Sequence, residues 1–297
     1  MNNKTPKIIL IVFLSILVIG LSIFFVNILT NKNFRFGHFS FGHKVSNELV
    51  FNQEYEAIFD IIKIDSKSSD IEIKEGNESK VKVVIYGDKD ETNVEIVNNK
   101  LNIKSNEKKC LGFCFNMTIA KIEVYLPSSY SGNINIENNY GDVNIGNFDN
   151  LILDAKLDAG DIKVDSLKSG KIKNSYGDIK ILGYSKELEI DQDCGDVEVS
   201  EVDRIKLENN YGDIDIGKVN EYLQIKEDCG DVKIDSLNLK ENSSIHNSYG
   251  DIKIGSTNEI YINAKTSLGD TKINNNYQKS YVTLTIDNSC GDIRVNN

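Results

Sequence analysis

Apolar and polar residues alternate along most of this chain, and the alternation changes phase at regular intervals. Ile205, Leu207, Asn209 and Tyr211 share one parity, whereas Ile214 and Ile216, beyond Gly212-Asp213, take the other. The same change separates Leu188, Ile190 and Cys194 from Val197 and Val199, and Leu223, Ile225 and Cys229 from Val232 and Ile234. Period-two alternation marks extended chain with one buried face. A glycine at the phase change marks a corner or bulge. Each unit is therefore expected to be a long strand, a Gly-Asp corner, a short strand and a loop.

The corners begin at Gly141, Gly160, Gly177, Gly195, Gly212, Gly230, Gly250, Gly269 and Gly291, 17 to 22 residues apart. One such unit cannot close a core, so units must stack and bury their apolar faces on their neighbours. The pattern predicts an all-β chain in which residues 132–297 form a single-stranded parallel β-solenoid, or β-helix, of about nine Gly-Asp repeats. Nine coils at about 4.8 Å make a rod of about 40 Å.

The residue before each glycine runs Tyr140, Ala159, Tyr176, Cys194, Tyr211, Cys229, Tyr249, Leu268, Cys290, so large and small alternate until the end. Either each unit is one coil and large side chains interleave with small ones, or one coil holds two units and like stacks on like. The first is preferred, because the inward positions of one unit suffice for a small coil. By parity Tyr140, Tyr176, Tyr211 and Tyr249 read as core or corner packing; the alternative is a sugar-stacking platform.

Residues 51–131 are β-rich but less regular, and are read as an N-terminal cap. Ile62 and Ile64 lead through Ser69-Asp70 to Ile71 and Ile73, a repeat without its glycine. Val94 and Ile96, then Asn98-Asn99, then Leu101 and Ile103 read as a hairpin, and Ile122, Val124 and Leu126 as a strand ended by Pro127. At the other end only Asn296 and Asn297 follow Val295. This predicts an unpaired C-terminal edge strand open to another molecule or a second copy.

Ile8 to Leu29 carries no charge over 22 residues, about 33 Å as a helix and enough to cross a bilayer. No small-residue cleavage site is evident. The expectation is an uncleaved single-pass transmembrane helix over 8–30, between a short cytoplasmic tail (1–7) and a juxtamembrane linker (31–50). Lys4 and Lys7 before it nearly balance Lys32, Arg35 and Lys44 after it. The repeats are placed extracellularly because long domains translocate largely regardless of flanking charge. The doubled Phe-Gly-His segment over Phe34–His43 reads as an aromatic collar at the headgroup level; its two histidines are too few for a zinc site.

Composition adds partners to avoid. Two prolines and no tryptophan among 297 residues suit strands and turns. The net charge is −11, and residues 1–45 hold five basic and no acidic side chains, which leaves −16 on the remainder. Nucleic acid is excluded as a natural partner by the absence of a basic face, whereas cations or basic envelope components suit it.

Aspartate follows all nine repeat glycines: Asp142, Asp161, Asp178, Asp196, Asp213, Asp231, Asp251, Asp270 and Asp292. Stacked, they are either corner residues that hydrogen-bond backbone or a row of oxygen ligands for Ca²⁺, although the nonapeptide calcium repeat has a double glycine and another spacing. No other cofactor is expected. Asn138, Asn174, Asn209, Asn247 and Asn288 sit three before glycine, with Gln192, Glu227 and Thr266 at equivalent places; they read as stacked amides or as the lining of a sugar-binding groove. Cys110 and Cys114 suit a small loop disulfide if the domain is outside. His246 is the only histidine of the repeats, Arg204 and Arg294 their only arginines, and no nucleophile, base and orienting partner can be assembled.

The Gly-Asp-Ile/Val units, Val124-Tyr125-Leu126-Pro127 leading into them, and the apolar N-terminal span resemble the bacterial putative-adhesin β-strand-repeat family, the LiaG-like proteins, over residues 50–297. The resemblance implies a β-solenoid displayed at the cell envelope, linked in some members to envelope stress, with no catalytic residues to carry over. Tyr and Cys before glycine depart from the family's Ser/Thr-rich turn. The functional expectation is a non-enzymatic, membrane-anchored surface scaffold or adhesin. The alternatives are a calcium-binding solenoid and, less favoured, an enzyme acting on polysaccharide.

Overall fold

A computed structural model describes residues 44–297 except 57, 78, 106–117, 275 and 297. The expected span at 8–30, the Phe34–His43 segment, and Cys110 with Cys114 lie outside the described residues. Within them the chain is all-β, with twenty strands. The first eight are β1 (Lys44–Val45), β2 (Leu49–Tyr55), β3 (Ile61–Glu75), β4 (Val81–Tyr86), β5 (Thr92–Val97), β6 (Lys100–Ser105), β7 (Thr118–Leu126) and β8 (Asn133–Tyr140). Five long strands follow: β9 (Val143–Ala159), β10 (Ile162–Tyr176), β11 (Ile179–Cys194), β12 (Val197–Tyr211) and β13 (Ile214–Cys229). Seven shorter ones close the chain: β14 (Val232–Leu237), β15 (Ser243–Tyr249), β16 (Ile252–Thr257), β17 (Tyr261–Leu268), β18 (Thr271–Ile273), β19 (Thr283–Cys290) and β20 (Ile293–Val295).

The long strands pair in parallel, each with the next, and their register makes one unit one coil. Ile179 lies on Val197 and Val197 on Ile214; Tyr176 lies on Cys194, Cys194 on Tyr211 and Tyr211 on Cys229. Large and small residues therefore interleave, as the preferred reading expected. Inward positions repeat from coil to coil: Val197, Val199, Val202, Ile205 and Leu207 of β12 are all buried. Burying each such side chain contributes about 1.5–3 kcal/mol, and each does so against the coils above and below.

The loop expected in every unit is missing from the middle of the rod. Strands β9 to β13 each run unbroken from one corner to the next, and a single register shift, such as that between Val202 and Arg204, takes up the bend. A bulge turns the chain while leaving its backbone groups in the ladder, which a loop would not.

The corner is where glycine is obligatory. Eight of the nine repeat glycines have φ between +114° and +146°, a region that side chains rarely enter. At Gly212 a Cβ would also stand 2.1 Å from the carbonyl oxygen of Gly195 in the coil below. Conformation and stacking distance thus impose the same residue.

Both ends of the stack are out of sequence order. Strand β3 pairs with β6 and β7 on one side and with β8 and β9 on the other. It forms a full coil within the segment read as a cap, with Ser69-Asp70 at its corner. Outside it, β4 adds antiparallel to β7 and β2 antiparallel to β4, and β5 adds antiparallel to β6 through Asn98 and Asn99, both at positive φ. That is the hairpin expected there, with the left-handed residues a tight two-residue turn needs.

The C-terminal end corrects the sequence reading. Strand β19 lies between β15 and β17, and β20 between β16 and β18. The last unit is therefore inside the stack, and the outermost coil is the one before it in sequence. Its edge strand β17 is partly closed by Asn276, whose amide oxygen accepts the Ile262 N–H and whose amide nitrogen donates to the Ile262 carbonyl, both at 2.8 Å. The premise that the chain terminus offers a free edge fails, because pairing follows side-chain fit rather than chain order.

The corner predicts a sharp cost for a single methyl group. Gly212→Ala is expected to lower unfolding free energy by about 3 kcal/mol or more, read as a shift of the denaturation midpoint. An unchanged midpoint would show that neighbouring coils give way freely.

Candidate interaction surface

Three rows of side chains run along the rod at each corner, at fixed offsets from glycine. Three residues before it, the side chain points inward. Asn138, Asn174, Gln192, Asn209, Asn247 and Asn288 are buried, and each amide donates to the carbonyl of the corner residue one coil below: Ser69, Gly160, Gly177, Gly195, Gly230 and Gly250. Thr266 does the same for Gly291 at 3.0 Å. The expected amide-to-amide stack is absent because the corner carbonyls, left without a donor and buried, claim the amide hydrogens. This row has a structural task and lines no groove.

One residue after glycine lies the aspartate ladder. Oδ1 of each aspartate accepts the backbone N–H of the aspartate in the next coil, in the order Asp70, Asp142, Asp161, Asp178, Asp196, Asp213, Asp231, Asp251, Asp292, Asp270, at 2.8–3.1 Å. The ladder follows the spatial order of coils, including the exchanged pair at the end. One oxygen of every candidate calcium ligand except Asp270, at the end of the ladder, is thus engaged by backbone. Among the described residues no three His, Cys, Asp or Glu side chains come together as a metal cluster.

The row immediately before glycine contradicts the sequence reading. Tyr140, Tyr176, Tyr211 and Tyr249 are 55–62% exposed and Leu268 69%, so they are not core. The parity rule fails because the chain begins to turn before the glycine: Asn209 is buried, whereas Asn210 and Tyr211 both face outward. Ala159, Cys194, Cys229 and Cys290 are half-buried between them. In space the row reads Tyr249, Cys290, Leu268 at its end, so the alternation that breaks in sequence is intact in the fold. The tyrosine hydroxyls make no hydrogen bond within the described residues. Successive tyrosines are two coils, about 9.6 Å, apart, and the row from Tyr140 to Leu268 extends about 38 Å.

The thiols of Cys194, Cys229 and Cys290 are free. They too stand two coils apart, beyond the reach of a disulfide. His246 lies on the outer face of β15, 3.3 Å from Asp287 in the neighbouring coil.

Glu227 takes an amide's place in the inner row and is 2% exposed. Burial pushes its carboxyl up to about 8, against donors from the Cys229 N–H and Asn209 that pull it down. Only the protonated acid has a hydrogen to give where the neighbouring amides donate.

Stacked single-unit coils with glycine corners and three corner rows define a parallel β-solenoid with a patterned outer edge. The chain belongs to the Toastrack family, DUF4097, whose model matches residues 59–185 and again 182–297. A putative adhesin from Bacteroides fragilis has a similar structure, at 17% identity and a TM-score of 0.51, over 86% of this chain and 100% of that one. At that identity the likeness is one of fold. A putative lipid binding protein from Parabacteroides distasonis aligns at 14% identity and a TM-score of 0.45, over 86% and 100% of the two chains. A putative adhesin from Parabacteroides merdae aligns at 13% and 0.41, over 85% and 99%. No curated protein matches the chain.

Glu227 gives the fold a pH dependence with a defined sign. Between the usual 4.5 and about 8 the folded chain holds a proton that the unfolded chain has lost, so stability falls as pH rises across this window and is lowest above it. Glu227→Gln should leave Tm unchanged near pH 4 and raise it by about 2 °C or more at pH 9. An equal shift at both values would assign the effect to packing.

Proposed function

We propose that this protein is a non-enzymatic, membrane-anchored scaffold at the cell surface that adheres to envelope material or to a protein ligand through the outer edge of its solenoid. The tyrosine row carries the reading. Four exposed phenol rings and a leucine in line are a large apolar investment on a surface that is otherwise acidic. Aromatic side chains with a free polar tip are the side chains that most often anchor interfaces. The uncharged stretch from Ile8 to Leu29 supports the anchor, and the adhesin name of the Bacteroides fragilis structure agrees with the role.

Placement outside the membrane has a direct reporter in the half-buried thiols of Cys194, Cys229 and Cys290. A membrane-impermeant maleimide added to intact cells should label them as fully as it does after lysis. Labelling that needs lysis would put the domain on the inner side.

Adhesion is tested by sedimenting the full chain with isolated bacterial envelopes. The chain should pellet with them, and the combined Tyr176→Ser, Tyr211→Ser and Tyr249→Ser variant should bind at least about tenfold more weakly. Because these side chains are exposed, its melting curve should match that of the parent. Undiminished binding by the folded variant would overturn the reading.

A further inference from the structure

The coils are one unit each, yet the outer edge repeats every two. Tyrosine alternates with Ala or Cys immediately before glycine. One position earlier, Asn139, Ser175, Asn210 and Ser248 accompany the tyrosines, while Asp158, Asp193 and Asp228 accompany Ala159, Cys194 and Cys229; Cys290 departs from this with Ser289. One inward place is nearly uniform, with Ile172, Ile190, Leu207, Ile225, Ile245 and Ile286 in successive coils, whereas the buried place three before glycine keeps the two-coil period, with Asn138, Asn174, Asn209 and Asn247 in the tyrosine coils and Leu157, Gln192 and Glu227 between them. The period is therefore shared by one inner row and the face turned to solvent, where it sets the spacing of the exposed rings.

The tyrosine row is bordered by polar side chains along both sides. On one side runs the aspartate ladder, with one oxygen of each carboxylate but that of Asp270 held by backbone. On the other, Asn210 donates to Asp193 at 3.0 Å and Ser248 to Asp228 at 3.5 Å, which ties each residue to the coil below. The result is a line of aromatic platforms about 9.6 Å apart, with hydrogen-bond acceptors at every coil.

We propose that this stripe binds a linear β-linked glycan lying parallel to the rod, with one sugar per coil and alternate sugars stacked on Tyr176, Tyr211 and Tyr249. The proposal rests on the adhesion reading and names its ligand class. A β-linked pyranose chain advances about one coil height per sugar and, because successive rings are flipped, presents the same face every second sugar. Its C–H faces suit the electron-rich face of tyrosine, and its hydroxyls donate to the flanking carboxylates. Other linear polymers match less well. An extended peptide repeats its face every ~6.8 Å, out of step with the platforms. Polyproline repeats every ~9.3 Å and favours aromatic grooves, but its carbonyls would face carboxylates with no hydrogen between them. Polyphosphates and nucleic acids are repelled by the acidic borders.

The test is calorimetric titration of the full chain with β-1,4-linked N-acetylglucosamine oligomers of two, four and six sugars, and with deca-proline. Affinity should rise at least about tenfold from the dimer to the hexamer as further platforms are engaged. Tyr211→Ser, at the centre, should weaken hexamer binding about tenfold and leave the dimer, which has other platforms, within about twofold. Tyr211→Phe should retain binding, which separates ring stacking from the hydroxyl. No binding by any oligomer, affinity independent of length, or binding of deca-proline alone would overturn the proposal. If envelope binding persists with its tyrosine dependence in any of these cases, adhesion stands and the glycan assignment falls. If envelope binding is absent as well, both fall.

Discussion

The structure depends on the approach of one backbone to another at the glycine corner. Coils stacked at sheet spacing bring the carbonyl of one corner to within about van der Waals contact of the next, leaving no room for a Cβ, as Gly212 over Gly195 illustrates. The same residue must adopt a φ that side chains avoid. Turning within two residues, rather than through a loop, keeps the N–H and C=O groups on both sides of the corner in the ladder, so Gly195 still donates to Tyr211 and Val197 to Asp213. The one coil without glycine, at Ser69, lies at the N-terminal end of the stack, next to the antiparallel cap.

That constraint places the other corner residues. The turn leaves the corner carbonyl facing the interior, where a buried amide three residues before the glycine of the next coil donates to it, which explains the amide row. The aspartate after glycine meets the one N–H that the turn leaves outside. Between them the residue before glycine is turned out of the core, half-buried where it is Ala or Cys and exposed where it is Tyr. Chemistry can be written there without altering the fold, and it is there that the tyrosines stand.

The ends follow the same logic at larger scale. A terminal coil has a partner on one face only and would open readily. Here the coils that come first and last in sequence, β3 and β19–β20, are each enclosed between two others, while the segments that do face outward are capped by antiparallel strands at one end and by Asn276 beside β17 at the other. Exposed ladder edges are thereby kept short.

Most of the architecture is legible in the residues because it is local. Period-two runs that reverse phase at Gly-Asp specify strands and corners, and the number of inward positions in one unit correctly favours one unit per coil, between the two coil sizes that the Tyr/Cys alternation left open. The hairpin at Asn98-Asn99 and the glycine-less unit at Ser69-Asp70 are also legible, since each needs only a few adjacent side chains to declare itself. Two features are not local, and the tertiary structure alone decided them. The outward turn of Tyr211 follows from where the chain starts to bend, one residue before the alternation says it should, so counting parity assigned the tyrosine row to the core. The exchange of the last two coils follows from which faces fit, pairing Asp251 with Asp292 across a whole intervening unit. No periodicity within a unit encodes that order, because every unit presents nearly the same edge to its neighbours.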